Sequence, residues 1–139
     1  DGLLTFLEGA HVFVANDYEW AVTLERTGIA EDELARRAGA IIVTRGAKGS
    51  TILQAGRRIE VPAAQAERVV DPTGCGDAYR AGLLHGLECG LPLEAAARIG
   101  SLMGCLAVEE RGTQSVRIDA AGIRARYEKA FGERFPVLH

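Results

Sequence analysis

"VVDPTGCGDAYRAGLL", residues 69–84, places two glycines and a cysteine directly before an aspartate, where a helical pattern begins. Gly74 and Gly76 permit backbone angles that side chains disfavour. Successive N–H groups can then converge into a concave nest. A helix starting near Asp77 adds its free N–H groups and the positive end of its dipole. Such a turn suits a phosphate or a developing oxyanion, yet Asp77 would repel either one in a dry site. Two readings resolve the conflict. Asp77 caps the helix, where acids are favoured. Alternatively it takes a proton from a hydroxyl that attacks phosphorus, a base that phosphoryl transfer requires. These residues alone leave both open.

Around this stretch the chain reads as alternating strands and helices. "DGLLTFLE" opens as a short helix, and "HVFVA" (11–15) is a compact apolar strand. "NDYEWAVTLERTG" follows, with Asn16 as N-cap and Gly28 as stop. After a second short helix, "EDELARRAG", the unbroken run "AIIVT" (40–44) reads as a strand buried on both faces. "STILQ" and "RIEVP" flank "AGR" as a β-hairpin. A loop over 62–76 leads to a helix at 77–89. Pro92 opens another at 92–109, and Asp119 begins the last. This order predicts α/β layers on a mainly parallel sheet. Small residues at four-residue spacing form two seams for close helix packing, Ala78/Gly82/Gly86/Gly90 and Ala97/Ser101/Cys105.

Composition narrows the function. The 139 residues carry a net charge of −3 with no basic block, which argues against an electrostatic nucleic-acid footprint. The apolar runs are too short to span a membrane. Three cysteines, Cys75, Cys89 and Cys105, form no C-x-x-C pair. That argues against a disulfide framework or structural zinc and for a reducing cytoplasm. The Walker phosphate loop is absent, and Tyr79 stands where a dinucleotide fingerprint needs a small residue. "TRGAKG" (44–49) ends a buried strand in a glycine turn, which lets backbone approach a ligand. Its G-x-x-G lies between strands, unlike the loop of a KH domain. "NDYE" (16–19) has capping-box spacing.

"DPTGCGDAYRAGLL" resembles the C-terminal signature of the PfkB, or ribokinase-like, carbohydrate kinases, usually D-T-x-G-A-G-D. The resemblance implies a three-layer α/β/α fold with a mainly parallel sheet plus a β-hairpin. It runs over roughly residues 10–131 and covers the C-terminal half of a complete kinase. The expectation is therefore one ATP-binding domain over 1–139, a fragment without the N-terminal half and lid. By resemblance Asp77 is the catalytic base and the amides of Gly74, Cys75 and Gly76 form the anion hole. Cys75 departs from the usual alanine or glycine, but a thiol leaves its N–H available. "NDYE" is similar to the family's N-x-x-E, which implies that Asn16 and Glu19 organise Mg²⁺ and phosphate through water. Thr44, Gly46 and Gly49 fall at the nucleotide site. "VEERGTQ" (108–114), with Gly112, borders the adenine, and its G-T-Q looks most like bacterial adenosine-kinase-like nucleoside kinases. Asp71 and Thr73 fall at a monovalent-cation site, for K⁺.

The implied activity is transfer of phosphate from ATP to a hydroxymethyl group of a nucleoside or sugar. The alternatives are a ribokinase- or fructokinase-type sugar kinase, or an isolated half that binds nucleotide, self-associates and does not turn over. A redox role for Cys75, whose thiol pKa a helix N-terminus can lower, is a third class.

Overall fold

In a computed structural model, described over residues 2–112 and 116–136, the chain divides into two compact units, 1–61 and 62–139. Each is built by its own local rules.

The first unit runs α1 (Gly2–Gly9), β1 (Phe13–Asn16), α2 (Asp17–Thr27), α3 (Glu31–Arg37), β2 (Ile41–Thr44), a 3₁₀ turn (Gly46–Lys48), β3 (Ser50–Gln54) and β4 (Arg57–Val61). Its four strands lie in the order β1-β2-β3-β4. β1 and β2 are parallel, with Phe13 opposite Ile41 and Asn16 opposite Thr44. The connection through α2 and α3 is long enough for the crossover that a parallel pair needs. Only residues 45–49 separate β2 from β3, so that pair is antiparallel. β3 and β4 form the expected hairpin, turning at Ala55 (φ 50°) and Gly56 (φ 73°). Both angles are positive, as a tight two-residue hairpin turn requires. The sheet of this piece is therefore mixed. The parallel expectation holds for one pairing, and short connections make the other two antiparallel.

Alternation along β2 sends Ile41 and Val43 to one face and Ile42 to the other, and all three are buried. On the first face Ile41, Val43 and Leu53 pack with Leu7 of α1, Trp20 of α2 and Leu34 and Ala35 of α3. Trp20 Nε1 donates to Glu31 at 2.8 Å, which satisfies its polar atom within this core.

The second unit holds α4 (Cys75–Glu88), α5 (Leu93–Val108) and α6 (Ala120–Phe131). α4 starts two residues earlier than its sequence pattern predicts, because Gly74 (φ 83°) takes the N-cap position. Pro92 and Asp119 are N-caps of α5 and α6 rather than their first helical residues. The glycine seam of α4 holds at two positions. A Cβ on Gly82 would come within 2.9 Å of the Ile99 carbonyl oxygen, and one on Gly86 within 2.8 Å of Ala96 Cα. The facing seam on α5 is one residue off the expected one. Gly100 and Gly104 approach α4 at Tyr79 and Cys75. Ser101 turns elsewhere, accepting the Ala64 N–H at 3.0 Å. Cys105 joins a core with Leu102, Leu106 and Tyr127 of α6. No helix among the described residues is long and apolar enough to cross a membrane.

Candidate functional site

In the first unit, the expected residues gather at the carboxyl ends of two parallel strands. Asn16 ends β1 opposite Thr44, which ends β2. Ligands of open α/β sheets bind outside such strand ends. Asn16 Oδ1 accepts the Glu19 N–H at 2.7 Å, and Glu19 Oε2 accepts the Asn16 N–H at 3.0 Å. This reciprocal capping box starts α2 and turns the Glu19 carboxylate back to the cap. Beyond Thr44, the chain folds into a tight turn with Gly46 at φ 55° and Gly49 at φ 88°. The Gly49 carbonyl accepts the Arg45 N–H at 2.8 Å and closes it. The Arg45 guanidinium bonds Thr51 and the Glu60 carboxylate, pinning the turn to β3 and β4.

The second unit brings Asp71, Thr73, Gly74, Cys75, Gly76, Asp77 and Gly112 into one neighbourhood. Asp71 Oδ1 accepts the Thr73 N–H at 2.9 Å, and its Oδ2 accepts the Gly112 N–H at 3.3 Å. These bonds, with Thr73 contributing most, hold the Asp71 carboxyl below the usual carboxylate range. The N-cap of α4 is Gly74 in the left-handed conformation, which has no side chain to cap the helix. The Cys75 N–H is turned to the Pro72 carbonyl at 3.3 Å. Asp77 is the third residue of α4, so it is not the helix cap. Its side chain is 89% exposed, with Oδ1 3.5 Å from Arg80 Nη1. That places an accessible carboxylate at the rim of an uncapped helix N-terminus, an anion-accepting place. Burial, and then the charge of Asp71, push the Cys75 thiol up. The direction is opposite to what a redox-active thiol needs. The remaining residues of "VEERGTQ", 113 and 114, lie outside the described ones.

Among the described residues no group of three or more His, Cys, Asp or Glu could hold a metal ion. A Mg²⁺ at such a site would be carried mainly by substrate phosphates, as this ion commonly is.

One constellation has no local sequence signal. Glu109 and Arg126 form a bidentate pair at 2.6 and 3.0 Å, with side chains 10% and 17% exposed. The Arg126 hydrogen bonds hold the Glu109 carboxyl below its ordinary value.

Residues 1–120 match the pfkB family of carbohydrate kinases, and the chain belongs to that family. It is 36% identical over 113 residues to a nucleoside kinase of Methanocaldococcus jannaschii, an alignment covering 81% of this chain and 37% of that protein. It is 42% identical over 72 residues to an inositol 3-kinase of Arabidopsis thaliana, covering 52% of this chain and 20% of the relative. Among solved structures, the nucleoside kinase of Burkholderia thailandensis in complex with inosine superposes with a TM-score of 0.91 at 46% identity. That match covers 95% of this chain and 43% of the other. The α/β fold is thus ribokinase-like, and the chain spans less than half the length of these relatives.

Proposed function

We propose that a kinase carrying this chain transfers the γ-phosphate of ATP to a hydroxymethyl group of a nucleoside, with Asp77 as general base. One observation carries the reading: Asp77 stands exposed in the first turn of an α4 whose N-cap, Gly74, has no side chain to cap it. There it can accept the hydroxyl proton as the oxygen attacks phosphorus. The backbone of Gly74 and Gly76, with the helix dipole and with Cys75 once its N–H leaves the Pro72 carbonyl, stabilises charge on the group in transfer. Mg²⁺, when bound with ATP, neutralises phosphate charge. On the same reading Thr44, Gly46, Gly49 and Gly112 contact nucleotide. Asn16 and Glu19 reach the metal through water, and Asp71 and Thr73 contribute to a K⁺ site.

A nucleoside acceptor is favoured by likeness to the Burkholderia thailandensis enzyme, solved with inosine and with ADP-inosine. The Arabidopsis thaliana inositol 3-kinase keeps a sugar-like acceptor as the second reading. Labelled γ-phosphate transfer from ATP by the complete kinase separates them. A nucleoside monophosphate as main product supports the first, and a phosphorylated sugar or cyclitol the second.

The chain by itself is, on this reading, the nucleotide half of the kinase, and it binds ATP without turnover. It also self-associates, through exposed apolar side chains such as Phe6, Tyr18, Val69 and Leu84 and the outer edge of β1. Oligomers of the 139-residue chain in sedimentation support this; a clean monomer at high concentration contradicts it.

A further inference from the structure

The segment that leads into the Gly74 turn is fastened along its length to the end of α5. The Glu67 N–H donates to Glu109 Oε1 at 2.7 Å, and Arg68 Nε donates to the Glu109 carbonyl at 3.0 Å. Arg68 Nη2 reaches Glu110 at 3.0 Å. The N–H groups of Val70 and Asp71 both donate to the Val108 carbonyl, at 2.8 and 3.1 Å. The Gly112 N–H then meets the Asp71 carboxylate. Glu109 anchors both this strap and a third element, and on α6 Arg126 and Lys129 also reach the exposed Glu67 carboxylate, at 3.8 and 3.7 Å. Glu109 shares its carboxylate between the Glu67 N–H and the guanidinium of Arg126 on α6. Planar bidentate pairing fixes direction as well as distance. The strap meets the turn through Asp71, which accepts the Thr73 N–H, while Glu109 and Arg126 act at a remove, Arg126 lying 49 residues from Asp77 in sequence.

We infer that Glu109 and Arg126 are positioning residues: their bidentate pair holds the 67–71 strap and so sets the Gly74 turn and Asp77 for phosphoryl transfer. The inference rests on the proposed kinase reading. Its mechanism is geometric. A misplacement of about 1 Å far from the chemistry can cost on the order of a hundredfold in rate. Lysine at 126 would keep the charge but lose the fork. The double replacement Glu109→Leu with Arg126→Met would remove the pair without leaving a buried charge unmatched.

The test uses the complete kinase, assayed well below its unfolding temperature, with kcat, KM for ATP and amide hydrogen exchange measured together. In Glu109→Gln, and in the double variant, kcat is expected to fall at least about tenfold. KM for ATP should stay within about twofold, and faster exchange should be confined to residues 67–77 and 108–112. Arg126→Lys should recover part of the kcat lost in Arg126→Met. Variants that lower thermal stability while kcat is unchanged would make the pair a plain structural tie and overturn the inference. A wild-type kinase without phosphoryl transfer would overturn the kinase reading and this inference with it. An active wild type with equally active variants overturns this inference alone.

Discussion

Ala96 Cα lies where a side chain on Gly86 would have to go: a Cβ built there comes within 2.8 Å of it. At Gly86 the backbones of α4 and α5 therefore come into near contact. Gly86→Ala should destabilise the protein by about 1–3 kcal/mol through overpacking, despite alanine's better helix propensity. Denaturant unfolding checks this. A variant as stable as wild type, or more so, would mean that the helices part easily and that the seam is loose.

The Glu19 carboxylate is turned back to the Asn16 N–H, and on the proposed reading it must partly give up that bond to reach Mg²⁺ through water. Glutamine at this position keeps the capping box. Glu19→Gln should therefore leave stability within about 0.5 kcal/mol. The Mg²⁺ concentration for half-maximal activity of the complete kinase should rise on the order of tenfold, as for other outer-shell groups. Unchanged Mg²⁺ dependence would leave Glu19 a cap and nothing more.

The Glu109 carboxyl, held by Arg126 below its ordinary value of 4.5, makes stability depend on pH in a stated direction. Because the folded-state value is the lower one, the ionised group adds stability above about pH 4.5. That contribution fades as pH falls through the depressed folded value. The stability gap between wild type and Glu109→Gln should therefore narrow in acid. Denaturant midpoints measured from neutral pH downward check this; a gap that stays constant into the acid range contradicts it.

Local chemistry made much of this fold legible in the sequence. Asn16 and Gly28 bracket α2 as their cap signals require, and Ala55-Gly56 turns the hairpin. Where the reading slipped, a longer-range effect decided. The pattern of α4 predicts a start at Asp77, but the left-handed Gly74 moves the cap forward. Asp77 thereby loses the capping role that residue type alone left open. On α5, small residues recur at four-residue spacing in two adjacent registers, 96/100/104 and 97/101/105. Only packing against α4 selects the first. The expected residues at strand ends and around the Gly74 turn do fall near their neighbours within each unit. Glu109 and Arg126 were invisible because 17 residues separate them and neither belongs to a motif. Their relationship exists only once α5 and α6 are folded.

The most direct test of the central claim is single-turnover phosphoryl transfer by the complete kinase, wild type against Asp77→Asn, with ATP affinity measured alongside. Asparagine keeps the shape of the α4 N-terminus but cannot accept the proton. The rate should fall by about two to four orders of magnitude with little change in ATP binding. A rate within a few-fold of wild type would contradict the account and leave Asp77 an exposed acid favoured only by the helix dipole.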